Sequence, residues 1–160
     1  MKNRKKIRSI AVGAVIAALY VVLTYFANML GLANGVIQVR LSEILTVMPV
    51  FTFAAVPGLF IGCIISNILT GCALWDIVFG SLATLIGALG TYFLRKYKIL
   101  AVLPPILANA IIVPFVLLFV YSFEGTYWYF FATVGAGEFI SCGVFGTILL
   151  KSLEKSRFKL

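Results

Sequence analysis

Once three basic clusters and Glu154 are set aside, the charges left in this 160-residue chain are Arg40, Glu43, Asp76, Glu124 and Glu138; its Asp and Glu number 5 and its His count is 0. Glu138 stands furthest from polar company, inside an apolar run that begins at Tyr127. About eleven residues at 1.5 Å each put it roughly 16 Å from the start of that run, close to the midplane of a bilayer that the run would span. A charge there costs about 2.5–3.5 kcal/mol on insertion scales, so Glu138 needs protein, water or a ligand beside it. Gly135, Ser141 and Cys142 fall next to it at helical spacing and give the segment one small, polar face. Two roles remain open, a contact to a ligand or ion and a protonated acid that ties two helices together. Asn67 and Asn109 raise the same question, because hydrocarbon cannot satisfy an amide; interhelical bonding or a shared pocket would answer it.

The other candidates are placed at the rim of the apolar segments. Gln38, Arg40 and Glu43 open one segment, and Trp75-Asp76 opens another. A carboxylate in a first helical turn is stabilised by exposed N–H groups, and Arg40 with Glu43 has the spacing of a helical ion pair. Helix-end signalling therefore competes with ligand contact for all of them. Tyr121, Tyr127, Trp128 and Tyr129 surround Glu124 and read as an interfacial aromatic belt, although aromatics and amides above a deep carboxylate also suit a flat heterocycle. Without histidine, His-based triads and His-ligated metals are excluded, and Cys63, Cys72 and Cys142 form no Cys-x-x-Cys pair. No cofactor or metal is expected, and an enzyme is disfavoured.

These residues must be positioned by membrane helices. The chain is 62% hydrophobic and 11% charged, against about 45–50% and about 25% in soluble domains. The net charge of +8 does not describe a nucleic-acid groove, because the basic residues gather in three short clusters. These are Lys2 to Arg8, Arg95 to Lys98, and Lys151 to Lys159, and the positive-inside rule assigns all three, with both termini, to the cytoplasm. An even number of apolar segments between clusters satisfies that rule throughout. The expected fold is all-α, one domain over residues 1–160, a bundle of six transmembrane helices. They lie near Ile7 to Leu30, Leu41 to Val56, Pro57 to Gly71, Leu74 to Leu94, Ala101 to Tyr121 and Tyr127 to Leu150. Pro57-Gly58 separates the second from the third, and Pro114 bends the fifth.

Helices in lipid associate through close backbone contact, so small residues at helical spacing mark packing faces. Gly58, Gly62, Ser66 and Thr70 form one such stripe, and Gly80, Thr84, Gly87 and Thr91 another, both read as packing within the bundle. Ala11, Ala14 and Ala18 form a third, which serves either the bundle or a partner protein.

Several runs together resemble one family. They are Val36-Ile-Gln-Val-Arg-Leu-Ser-Glu43, Pro57-Gly-Leu-Phe-Ile-Gly-Cys63 with Asn67, Leu74-Trp-Asp-Ile-Val-Phe-Gly-Ser-Leu-Ala-Thr-Leu85, Pro104-Pro-Ile-Leu-Ala-Asn-Ala110 and Gly137-Glu138. The family is QueT, the substrate-binding S components of energy-coupling factor (ECF) transporters for queuosine precursors. The resemblance implies a six-helix bundle in the bacterial cell membrane that captures a 7-deazaguanine from outside. It also implies partners, a transmembrane coupling protein and two ATPase subunits. The chain has no phosphate-binding loop of its own and cannot be the motor. The face carrying Ala14 and Ala18 would dock on the coupling protein. Glu138 would accept the adjacent N–H donors of a guanine-like edge. Asn109 and Asn67 would add amide contacts, Trp75 and Tyr127 would cover the rings, and Asp76 or Arg40 would hold a polar substituent. A different purine-like or vitamin ligand, or a small membrane enzyme or packing subunit with a structural Glu138, is the alternative.

Overall fold

The computed structural model describes residues 2–32 and 39–156, and the described residues contain helices and turns but no strand. Helix α1 spans Lys2–Met29, α2 Ala55–Leu69, α3 Leu74–Phe93, α4 Leu103–Phe119, α5 Tyr127–Glu138 and α6 Thr147–Lys155. A 3-10 helix, Leu41–Val50, precedes α2, a 3-10 turn, Leu100–Val102, leads into α4, and a π-helical segment, Phe139–Gly146, joins α5 to α6. Among the described residues, four stretches are long and apolar enough to cross a bilayer: Asn3–Met29, Leu74–Phe93, Leu100–Phe119 and Tyr127–Lys155. Leu41–Val50 and Ala55–Leu69 are apolar but shorter.

Consecutive helices pack in order, α1 on α2, α2 on α3, α3 on α4 and α4 on α5. Both glycine stripes are spent on this packing. A Cβ on Gly58 would stand 2.5 Å from the Gly13 carbonyl oxygen, and one on Gly62 would stand 2.9 Å from Tyr20 Cβ, so α1 and α2 touch backbone to backbone. Across the next interfaces a Cβ on Gly87 would meet Pro105 Cα at 2.6 Å, while the Thr91 hydroxyl donates to the Ala101 carbonyl at 2.7 Å. Ile16, Tyr20, Val56, Leu59 and Cys63 form the main apolar core, which Ala88 of α3 completes. Ala11, Ala14 and Ala18 lie on the other side of α1, exposed, because the bundle takes the face of Gly13, Ile16, Ala17 and Tyr20.

The segment expected as the second helix, Leu41 to Val56, is a 3-10 helix over Leu41–Val50 that is buried in the bundle. Leu41–Val50 packs against α1, α3 and the π-helical segment, with Ser42, Glu43, Thr46 and Val47 buried. Pro49 near its end lacks an N–H and cannot extend an α-helical ladder, and the chain turns at Thr52–Ala54 before α2 begins. Pro57 falls in the first turn of α2, where its missing N–H is not needed. Gly146 fits under Val47, where a Cβ would lie 3.0 Å from Val47 Cγ1, so the π-helical segment and the 3-10 helix are in direct contact.

Two basic clusters meet at one end. Lys98 pairs with Glu154 at 2.7 Å, joining the turn after α3 to α6. Arg95 lies over the Tyr92 ring at 4.1 Å. The opposite end, where α1 and α2 finish and α3 begins, is open.

Candidate functional site

A cavity of about 690 Å³ occupies that open end. Two helix caps shape its wall. Gly71, with φ +74°, closes α2 in a left-handed turn in which Cys72 N–H donates to the Asn67 carbonyl and Gly71 N–H to the Ile68 carbonyl. Gly31, with φ +71°, ends α1 in the same way over Ala27 and Asn28. Tyr20, Thr24, Ala27 and Asn28 then present one face of α1 to the cavity, and Asn67, Thr70, Gly71 and Cys72 present the end of α2.

Three charged side chains line it, Arg40, Asp76 and Glu124. Asp76 is buried in the first turn of α3 and accepts a 3.0 Å hydrogen bond from the Tyr121 hydroxyl, whose oxygen in turn accepts from the Ala73 N–H at 3.2 Å. Burial, and after it the Asp76 carboxylate, push the Tyr121 phenol up to about 12, so it stays protonated and keeps donating. Phe123, Tyr129 and Phe130 supply the aromatic wall, with Val113, Leu117 and Val134 beneath them. The lining therefore combines hydrogen-bonding groups, both charge signs and ring faces, within the ~300–1,000 Å³ typical of small-molecule sites.

Below the cavity lies a second polar cluster. The Tyr20 hydroxyl donates to Glu43 Oε1, and so does the Thr84 hydroxyl at 3.3 Å. Cys142 Sγ donates to Glu138 Oε2 at 3.3 Å and stands 3.3 Å from Thr46 Oγ1. Glu43 is 0% and Glu138 2% exposed. Glu138 was expected to be the only deep carboxylate, with Glu43 at the rim. The structure corrects this, because the inward-turning 3-10 helix carries Glu43 down beside it.

Of the residues singled out in the sequence, Arg40, Asn67 and Asp76 come together in the cavity wall. Glu43 and Glu138 meet each other beneath it. Asn109 is fully buried on α4, where its side-chain N–H donates to the Pro105 carbonyl at 3.1 Å, outside the cavity lining. Trp75 is 58% exposed and stacks on Phe79 with centroids 5.9 Å apart, turned away from the cavity. Tyr127 donates to the Ile111 carbonyl at 3.2 Å and packs on Phe115, so the adjacent Tyr129 takes the lining place. Gln38 lies outside the described residues. The contribution of α1 was missed, although Tyr20, Thr24, Ala27 and Asn28 recur at the spacing of one helical face.

The family model described as QueT transporter matches residues 10–155. A curated relative from Lactococcus lactis subsp. cremoris, described as "Queuosine precursor transporter QueT", is 35% identical over 98 residues, which cover 60% of this chain and 57% of the relative. The matched part thus spans a little over half of that relative's length. No solved structure matches the chain.

Proposed function

Since the chain belongs to the QueT transporter family, a family of transporters and not of enzymes, we propose that it is the substrate-binding S component of an ECF-type importer for a queuosine precursor. The 690 Å³ cavity is the observation that carries this reading. It opens at the end opposite the basic clusters, which the positive-inside rule assigns to the cytoplasm, so it faces the outside. Leu41–Val50 and Ala55–Leu69 complete a six-helix bundle in the membrane, the shorter pair accommodated by local thinning.

A 7-deazaguanine fits the chemistry of the wall. Its ring system stacks against Phe123, Tyr129 or Phe130, its N–H donors meet Asp76 and the Asn67 carbonyl oxygen of the side chain, and its carbonyl meets Arg40. Glu138 is buried and is not among the residues that line the cavity. Ala14 and Ala18 stay uncovered on α1, as a face for the membrane coupling protein would be, and the ATPase subunits supply the motor. Calorimetry on the detergent-purified chain, titrated with 7-deazaguanines, riboflavin and adenine, tests the reading. Selective stoichiometric binding of a 7-deazaguanine is expected; preference for riboflavin or adenine, or no binding at all, overturns the assigned substrate.

A further inference from the structure

Beneath the cavity, Glu43 Oε2 has no hydrogen-bond partner among the described residues. Glu43 Oε1 accepts from both Tyr20 and Thr84, whereas Glu43 Oε2 is buried and accepts no hydrogen bond. A carboxylate oxygen left so is costly in a dry interior. Ligand atoms of Glu43, Glu138 and Cys142 lie within 4.8 Å of one another, all three residues buried. We propose that Glu43, Glu138 and Cys142 form a binding site for one divalent cation of the zinc class, which pins the Leu41–Val50 helix to the π-helical segment and so fixes the cavity floor.

Geometry and charge support it separately. Zinc bonds of about 2.3 Å to sulfur and 2.0–2.2 Å to oxygen place tetrahedral neighbours roughly 3.6 Å apart. Cys142 Sγ stands 3.3 Å from Glu138 Oε2 and 3.3 Å from Thr46 Oγ1, and a Glu43 carboxylate oxygen lies within 4.8 Å of both ligand atoms, so a closure of about 1 Å creates the set. Two carboxylates and a thiolate carry three negative charges, which a divalent ion and the Arg40 guanidinium together balance. Coordination releases the thiol proton of Cys142. Sulfur among the ligands selects a borderline-soft ion over sodium, magnesium or calcium, which take oxygen. Glu138 and Cys142 sit one turn apart where the helix widens into its π-helical stretch, a distortion frequent at functional sites.

The full-length chain in detergent, stripped with chelator, is titrated with zinc chloride by calorimetry and with cobalt chloride by absorption. One ion per chain and a thiolate-to-cobalt charge-transfer band are expected. Cys142→Ser should abolish the band, and Glu43→Gln and Glu138→Gln should each weaken zinc at least tenfold, while Glu154→Gln, at the other end, leaves binding intact. Circular dichroism and gel filtration identify variants that fail to fold; for any such variant, Thr46→Val substitutes, with weakened binding expected. Absence of stoichiometric zinc binding, or binding that survives every cluster substitution, overturns the site. So does a metal-free chain in which Glu138→Gln weakens 7-deazaguanine binding as much as in the zinc-treated chain, since the carboxylates then serve the ligand.

Discussion

Asp76 occupies a buried first-turn position with its carboxylate held by Tyr121 and turned into the cavity. Asp76→Asn keeps the shape but removes the charge, and a charge-assisted contact to a ligand N–H is worth roughly 1.5–3 kcal/mol. Binding of the 7-deazaguanine should therefore weaken about tenfold to a hundredfold, read by calorimetry. Tyr121→Phe frees that carboxylate without removing it and should cost less than Asp76→Asn; a larger loss would show the tyrosine itself to be the contact. At this scale the sequence was informative about residue type and poor about direction. Asp76 and Glu43 look alike as helix-start carboxylates, yet one lines the cavity and the other lies under its floor. Trp75 and Tyr127 have the chemistry of ring-stacking residues, but helix phase turns them away and brings Tyr129 and Phe130 in.

Helix α1 has one face packed in the bundle and one face exposed. Its inner face leaves no room at α2, so Gly58→Ala drives a methyl into the Gly13 carbonyl and should destabilise the chain by about 1–3 kcal/mol, seen as a lower unfolding temperature in detergent. Its outer face is open, and Ala18→Leu should leave that temperature and the ligand affinity unchanged while abolishing uptake in cells that contain the partner subunits. Normal uptake by the Ala18→Leu variant would remove α1 as the docking face. The small-residue stripes were legible as packing faces because close approach in lipid demands small side chains. Which stripe meets which was not, and Pro105 and Pro104 prove to be the surface that Gly87 and Gly90 of α3 receive.

Over the whole molecule, the Lys98–Glu154 pair unites two basic clusters and leaves the cavity at the far end. In intact cells an impermeant thiol reagent should modify a cysteine at Glu124, in a background without native cysteines, and spare one at Lys96. Labelling at Lys96 alone would invert the chain. The sequence by itself determined that the protein is helical and apolar enough for a membrane, where its charge clusters fall, where stripes of small residues run, and to which family it belongs. These properties depend on residue type and local spacing, and the 3.6-residue period carries them without reference to the rest of the chain. Tertiary structure alone decided that Leu41–Val50 folds inward as a 3-10 helix and that Glu43 joins Glu138 and Cys142, nearly a hundred residues away. It also decided that the ends of α1, α2 and α3 enclose one cavity. The physical reason is that depth and direction are set by how neighbouring helices pack, and no local spacing encodes the shape of the partner.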